Sequence, residues 1–188
     1  MSESLKEKAV KGVGWSFIDN IANQGITFLV GIILARILSP AEFGILGMIT
    51  IFIAISNSII DSGFSNALIR KTDAKRIDYN TVFLFNLAVS VLFYGILYLS
   101  SPAISRFFKE PQLISITRVM GLLLFINAFG IIQRTLLVKR VDFKTQTKVS
   151  VIASLGSAIV GIGMALMGYG VWSLVGQQLS RQFLNTLF

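Results

Sequence analysis

Two long apolar runs joined by a short turn dominate the first third of this sequence. The runs are Trp15–Ala35 and Phe43–Ile60, and the turn between them carries Arg36, Pro40 and Gly44. A helix of about 20 residues crosses a hydrocarbon core of roughly 30 Å, so each run has the length of a membrane span. Because backbone polar groups inside lipid must bond to one another, the two runs predict a hairpin of transmembrane helices.

The same pattern recurs along the whole chain and predicts an all-α fold, a polytopic membrane helix bundle with six transmembrane helices. Of the 188 residues, 54% are hydrophobic, and the mean hydropathy is +0.74. Such a composition is typical of an integral membrane protein rather than of a soluble domain. The expected spans are about 14–35, 43–60, 81–99, 114–132, 149–167 and 171–188.

The two ends of the chain need separate interpretations. Residues 1–13 combine lysines with apolar residues and predict a lead-in helix that lies along the cytoplasmic membrane surface. The first span is longer than the apolar core of a signal peptide, and no small-residue cleavage site follows it, so we expect it to be retained. The sixth span stops at Phe188 without a basic flank. We therefore expect either a fragment truncated at its C-terminus or a short last helix.

The distribution of basic residues predicts the orientation of the bundle. The N-terminus and the loops after spans two and four hold twelve of the 17 lysines and arginines. The loops on the opposite side hold three, which are Arg36, Arg106 and Lys109. Since cytoplasmic loops of membrane proteins are enriched in basic residues, we expect the N-terminus to face the cytoplasm. Membrane orientation thereby explains the net charge of +8 without nucleic acid.

The residue types that this sequence lacks limit its chemistry. There is no cysteine and no histidine, so the commonest general base and the commonest metal ligands are missing. Asp61, Asp73 and Asp78 could be imagined as a magnesium site, but basic residues at 71, 75 and 76 alternate with them. That pattern favours a solvated loop of ion pairs. We therefore expect no enzyme activity, no cofactor and no metal site.

Span one carries polar side chains that a lipid-facing helix would not tolerate. Ser16, Asn20, Asn23 and Thr27 follow steps of four, three and four residues, so they form one stripe on a helix. Such stripes face other helices or a water-filled cavity. Beside the stripe, Asp19 is a candidate site for a coupling ion, Na⁺ or a proton. The alternative is that Asp19 lies near the lipid headgroups and is simply hydrated.

Four stretches of the sequence carry motifs that occur together in a known family. They are ARILSPAEFG at 35–44, DSGFSNALIRK at 61–71, QRTLLVKRVDFK at 133–144 and GYGVWSLVGQQL at 168–179. These stretches resemble, in order, the first hairpin, the end of helix two, the basic loop after helix four and the start of helix six in bacterial polysaccharide exporters. Those proteins are the O-antigen or lipopolysaccharide-biosynthesis flippases of the multidrug/oligosaccharidyl-lipid/polysaccharide flippase superfamily.

The resemblance implies a membrane transporter of cell-surface polysaccharide or lipopolysaccharide biosynthesis. Its implied substrate is an oligosaccharide linked to undecaprenyl pyrophosphate, which the protein would flip across the bacterial cytoplasmic (inner) membrane. The chain would then be the N-terminal six-helix lobe, and a C-terminal lobe would normally follow it.

Arg118 and Arg181 are the two cations inside predicted spans, and burying an arginine is costly unless a negative group pairs with it. Guanidinium groups match phosphate oxygens well, so both arginines are candidates for binding the pyrophosphate of the substrate, with the stripe of span one lining the same cavity. The alternative for Arg118 is that its side chain reaches the outer membrane surface. Arg181 lies about ten residues into span six, where that alternative is weaker.

Two other functions stay open at this point. A cation-coupled multidrug antiporter of the same superfamily would also use a buried acid such as Asp19, although it would favour an acidic cavity and the membrane charges here are mostly basic. A non-transporting fragment is the second alternative, because of the abrupt end of the sequence.

Overall fold

The predicted all-α fold is confirmed. A computed structural model describes residues 5–60, 64–71, 73–139 and 142–187, and within these ranges it contains α-helices and no strand. The first four residues of the predicted lead-in, Asp61, Arg140 and Phe188 lie outside the described residues. The helices are α1 Leu5–Ile37, α2 Pro40–Ile60, α3 Phe64–Arg70, α4 Arg76–Phe108, α5 Leu113–Met120, α6 Leu122–Lys139, α7 Phe143–Leu166 and α8 Val171–Leu187.

Five helical segments in the described ranges are long and apolar enough to cross a membrane, judged by length and composition. They are Gly14–Ile37, Pro40–Ile60, Arg76–Phe108, Leu113–Lys139 and Phe143–Leu166. The predicted sixth span corresponds to α8, which has 17 residues and carries polar side chains along one face. At the other end, the lead-in and the first span form one continuous helix, α1, so their boundary at residue 13 has no break in the backbone.

The third span was expected to end near residue 99, but the helix continues, because α4 runs through Pro102 to Phe108. Proline has no backbone N–H and normally leaves the carbonyl four residues earlier without its helical partner. In α4 that carbonyl belongs to Tyr98, and the hydroxyl of Ser101 donates to it at 2.8 Å. The side chain of Ser101 thus replaces the missing donor, and the helix continues.

The two helices of the first hairpin pack against different partners. α1 packs along α7, whereas α2 packs against α4, α5, α6 and α8. Near the turn, Leu34 of α1 and Leu38 of the turn lie in one apolar cluster with Phe43 and Leu46 of α2. A larger core joins α2, α4, α5 and α6 to the first turns of α8. α8 therefore connects a unit made of α1 and α7 with the rest of the bundle.

The glycines and serines of span five allow α7 and α8 to approach closely. A Cβ atom at Gly161 would lie 2.9 Å from Cβ of Gln177, and one at Gly156 would lie 2.6 Å from a methyl group of Leu184. Small residues give membrane helices close van der Waals contact where no hydrophobic effect drives them together. This contact fixes the position and rotation of α8 relative to α7.

At the end of the bundle that holds the α1–α2 turn, this turn meets the α7–α8 turn. The carboxylate of Glu42 accepts hydrogen bonds from the backbone N–H (2.6 Å) and the hydroxyl (2.9 Å) of Ser39, which secures the start of α2. The other oxygen of the same carboxylate occupies the space where a Cβ of Gly170 would lie. Gly168 and Gly170 both have positive φ angles, +80° and +56°, which only glycine adopts without strain. One carboxylate therefore connects the two turns.

At the opposite end, α6 extends as a helix to Lys139 where the sequence predicts a loop from residue 133. The ammonium group of Lys139 donates to the carbonyl of Lys71 at 2.6 Å and to the carbonyl of Leu68 at 3.2 Å. It also lies 3.3 Å from the hydroxyl of Tyr79. Since the carbonyls at a helix C-terminus lack helical partners, Lys139 caps α3 and attaches it to α6 and α4. Lys139 is one of the basic residues that predict the orientation, and it thus has a structural role as well.

We predict that Gly170→Ala destabilises the protein more than Gly168→Ala. Both substitutions place a side chain at a positive φ angle, which costs roughly 1–2 kcal/mol. Only the new methyl group at residue 170 also collides with Glu42, because the space around Gly168 is open. Thermal unfolding of the two purified variants in the same detergent measures the difference, and equal unfolding temperatures would contradict the contact between the turns.

The orientation leads to a second prediction, tested with single cysteines, for which the sequence offers a cysteine-free background. In whole cells, an impermeant maleimide should label Gln112→Cys and should leave Ala67→Cys unlabelled, because the charge distribution places α3 in the cytoplasm. Both side chains are exposed in the protein. After cell lysis both variants should react, and labelling of Ala67→Cys alone in whole cells would reverse the topology.

Candidate functional site

Three of the residues predicted for the site meet where α8 crosses α1. The guanidinium of Arg181 donates through Nη2 to Oδ1 of Asn23 at 3.2 Å and through Nη1 to Oγ1 of Thr27 at 3.4 Å. Arg181 lies ten residues beyond the start of α8, which places it about 15 Å along the helix axis. The polar stripe of α1 therefore faces α7 and α8 at Asn23 and Thr27, as a polar face of a membrane helix should.

Asn23 is the centre of this network, and its amide group is fully engaged. Its Nδ2 donates to Oγ of Ser150 at 2.7 Å and to Oδ1 of Asp19 at 2.8 Å. Its Oδ1 accepts from the hydroxyl of Ser154 as well as from Arg181. An amide offers two N–H donors and two acceptor positions, so no hydrogen-bonding capacity remains for a ligand. Asn23 thus holds Arg181 in place.

The other polar residues of α1 take different positions. Asp19 is half-buried and reaches Arg181 only indirectly, through the amide of Asn23. Asn20 is exposed and donates to the backbone carbonyl of Ser16 at 3.0 Å, within its own helix. Neither Ser16 nor Asn20 belongs to the network around Arg181. All four residues of the stripe lie in α1, but among them only Asn23 and Thr27 hydrogen bond to α8.

Arg181 also lines a cavity of about 300 Å³ on the other side of α8, between α2, α6 and α8. Three apolar residues contribute to the wall, which are Ile53, Ala54 and Leu123. The remaining lining residues are polar and half-buried or exposed; they are Thr50, Asn57, Asn127, Gln178, Arg181, Gln182 and Asn185. Arg181 is the one charged residue among them, so the cavity is cationic. Such a cavity attracts an anionic group.

The five amides of this cavity are the functional candidates that the sequence analysis missed. A signal for them exists, because Gln178, Gln182 and Asn185 are spaced by four and three residues and share a face of α8 with Arg181. Asn57 and Asn127 are single amides inside apolar helices, and their side chains hydrogen bond to each other at 3.0 Å. Intramembrane polar residues of this kind mark cavities or helix contacts.

Arg118 lies apart from Arg181, against α4. Its Nε donates to the hydroxyl of the buried Ser101 at 3.2 Å, and its guanidinium carbon lies 4.2 Å from the ring centroid of Tyr98. The two arginines expected to meet one pyrophosphate are therefore in different places. Arg118 lies nine residues after Lys109 and eight after Glu110, which belong to the turn between α4 and α5.

Metal ions are not an evident part of this site. Within the described ranges, no group of three acidic residues converges in a way that could hold a metal ion. In the same part of the chain, no carboxylate forms an ion pair with Arg181 or with Arg118. Both guanidinium groups are held by neutral side chains, which leaves their charge available to an anion.

Comparison with known proteins identifies relatives along most of the chain. A family model described as polysaccharide biosynthesis protein matches residues 33–188. The succinoglycan biosynthesis transport protein of Rhizobium meliloti is 29% identical over 178 residues, which is 94% of this chain and 36% of that protein. The teichuronic acid biosynthesis protein of Bacillus subtilis is 27% identical over 88% of this chain and 35% of its own length.

A third relative is a lipopolysaccharide biosynthesis protein of Escherichia coli, which is 23% identical over 91% of this chain and 34% of its own length. The chain thus spans about a third of the length of the curated relatives it matches. No solved structure matches it.

We predict that a cysteine at Ala54 reacts with a small water-soluble thiosulfonate in membranes, whereas one at the neighbouring Ile55 does not. Both positions are exposed in the isolated chain, but only Ala54 lines the cavity. The reagent attacks the thiolate, which forms in water and not in hydrocarbon. No reaction at Ala54→Cys would mean that the cavity holds no water, and equal reaction at both positions would mean that Ile55 faces water as well.

Proposed function

Since the chain belongs to the polysaccharide biosynthesis protein family, we propose that it is part of a flippase that exports lipid-linked polysaccharide across the bacterial cytoplasmic membrane. Its relatives carry names from succinoglycan, teichuronic acid and lipopolysaccharide biosynthesis, and one is named a transport protein. The observation that carries the proposal is a cationic, amide-lined cavity between apolar helices. A sugar cannot cross hydrocarbon unaided, so a transporter must give it a polar path.

Arg181 is the residue that we propose to bind the substrate's phosphate groups. Its guanidinium borders the cavity, has no carboxylate partner in the described residues, and is held at a fixed place by Asn23 and Thr27. A planar guanidinium makes two parallel hydrogen bonds to phosphate oxygens, which an ammonium group cannot do. A pyrophosphate linked to undecaprenol is a ligand of this chemistry.

The position of the cavity along the helices supports loading from the cytoplasmic leaflet. If the N-terminus is cytoplasmic, α2 and α8 both run from the outer to the cytoplasmic side. The cavity residues of α2 and α8 lie from the middle of each helix toward its C-terminus, from Thr50 to Asn57 and from Gln178 to Asn185, and those of α6, Leu123 and Asn127, lie near the middle of the segment Leu113–Lys139. The cavity would then open toward the leaflet where lipid-linked sugars are assembled.

Asp19 and Arg118 have separate proposed roles. Asp19 contacts the amide that holds Arg181, so a coupling ion bound at its carboxylate would act on the anion site through one side chain. Arg118 would meet the substrate's phosphates, or an outer headgroup, at the other end of the path. The six helical segments would act as one lobe, with a second lobe as their partner, because the relatives are about three times as long.

A cation-coupled multidrug antiporter is the weaker alternative. Such a protein needs acidic side chains that attract a cationic drug, whereas no carboxylate lines this cavity. An enzyme acting on the same lipid would need a nucleophile or an acid–base pair, and the lining residues offer none.

The proposal predicts that Arg181→Ala lowers export of surface polysaccharide by at least about tenfold, since a hydrogen bond to a charged group contributes roughly 1.5–3 kcal/mol. Arg181→Lys keeps the charge but loses the planar geometry, so its loss should be partial. The assay measures polysaccharide on cells that lack their own flippase and express the protein at its natural length.

The matched control is Arg106→Ala, which removes an exposed arginine far from the cavity and should leave export unchanged. Membrane abundance is measured for every variant by immunoblot. Wild-type export by an abundant Arg181→Ala variant would refute the phosphate role.

A further inference from the structure

The amide side chains of the cavity have unused hydrogen-bonding capacity. Five amides line it, each with two N–H donors and an oxygen that accepts twice. In the ranges that the structure describes, the one bond among them joins Nδ2 of Asn127 to Oδ1 of Asn57. The side-chain amides of Gln178, Gln182 and Asn185 make no hydrogen bond in those ranges. Donors and acceptors without partners are costly between apolar helices, so they need water or a polar ligand.

The amide of Asn23 is in a different state. It lies in α1, 34 residues before the nearest cavity amide in sequence, Asn57, and it contacts Arg181 from outside the cavity. Asn23 uses all of its donors and acceptors within the protein. Side-chain amides near Arg181 thus occur in two states, one with every donor and acceptor in use and one with most of them unused. The saturated amide holds the guanidinium, and the unsaturated ones face open space.

The charge of the cavity limits what could satisfy these amides. Arg181 is its one charged lining residue, and it lies at the border of the amide group on α8. A ligand that fits must have neutral groups able both to donate and to accept, next to a single anionic group. Sugar hydroxyls have this property, since each can donate one hydrogen bond and accept two.

The size of the cavity is consistent with a compact ligand. Its volume of about 300 Å³ is at the lower end of the range for small-molecule sites, roughly 300–1,000 Å³. Such a volume has room for a sugar unit, and the rest of a longer ligand would extend through the open side of the cavity. Only the part of the ligand nearest the anionic group would be held here.

From these observations we propose that Asn57, Asn127, Gln178, Gln182 and Asn185 form a subsite for the hydroxyl groups of the sugar unit attached directly to the phosphate. This inference rests on the proposed function, because it takes the anion at Arg181 to be that of a sugar-bearing lipid. It adds that the amides recognise the first sugar, while Arg181 binds the phosphate irrespective of the sugar.

Two soluble probes distinguish the binding of the phosphate from the binding of the sugar. Geranyl diphosphate presents the anionic group alone, and geranyl diphosphoglucose adds one sugar unit. Calorimetric titration of the purified protein, at its natural length in detergent, measures both dissociation constants. The wild type should bind the glycosylated probe more tightly, and each sugar hydrogen bond lost should reduce that preference by about three- to tenfold.

Gln178→Met and Gln182→Met each remove one amide at nearly constant volume, and each should reduce the preference for the glycosylated probe by about three- to tenfold while binding geranyl diphosphate as before. The matched control is Gln177→Met, since Gln177 is the same residue type on the same helix but packs against Gly161 of α7 outside the cavity. It should keep the preference.

Each other result is decisive as well. An unchanged preference in Gln178→Met and Gln182→Met would overturn the sugar subsite and leave the proposed function standing. Loss of the preference in Gln177→Met too would assign the effect to helix packing and also overturn it. A wild type that binds neither probe would refute the proposed function itself.

Discussion

In a lipid bilayer no water is available to a polar group, so each one must find its partner within the protein, and this constraint explains most of the polar contacts in the chain. Ser101 supplies the donor that Pro102 lacks. Asn23 connects Asp19, two serines and Arg181 across three helices. The amides of Gln178, Gln182 and Asn185 at the cavity do not meet this constraint within the described residues, so their partner has to come from outside.

The close contact of α7 and α8 determines where the site lies. Gly161 and Gly156 allow side chains of α8 to rest on the backbone of α7, and this contact fixes which face of α8 turns toward α1. Arg181 is then within reach of Asn23 and Thr27 on one side and of the cavity on the other. A larger residue at either glycine would rotate or displace α8 and would separate the arginine from the residues that hold it.

Much of the fold followed from sequence, because apolar length and charge distribution are strong signals in membrane proteins. The all-α architecture and the family resemblance are confirmed. The ends of the helices were harder to predict: α4 continues past Pro102 because of one hydroxyl group, and α6 continues to Lys139 because that lysine caps α3. Such contacts depend on side chains that are distant in sequence or on one favourable rotamer.

The sequence indicated some residues of the candidate site but not how they meet, because contacts between helices depend on packing. Helical periodicity correctly placed Asn23 and Thr27 on one face, but it could not show that the neighbouring Asn20 bonds within its own helix. It also gave no sign that Arg118 and Arg181 lie in different places, since the distance between two helices is set by packing. The amides of α2, α6 and α8 form one group only after three helices have assembled.

The arrangement of the helices indicates how the site could respond to movement. α1 and α7 form one unit, whereas α2, α4, α5 and α6 form another, and α8 contacts both. The cavity lies between α8 and the second unit, while the bonds that hold Arg181 come from the first. Because the close contact of α7 and α8 keeps α8 with α1 and α7, a movement of these three helices relative to α2 and α6 would change the shape of the cavity while Asn23 and Thr27 still hold the guanidinium of Arg181.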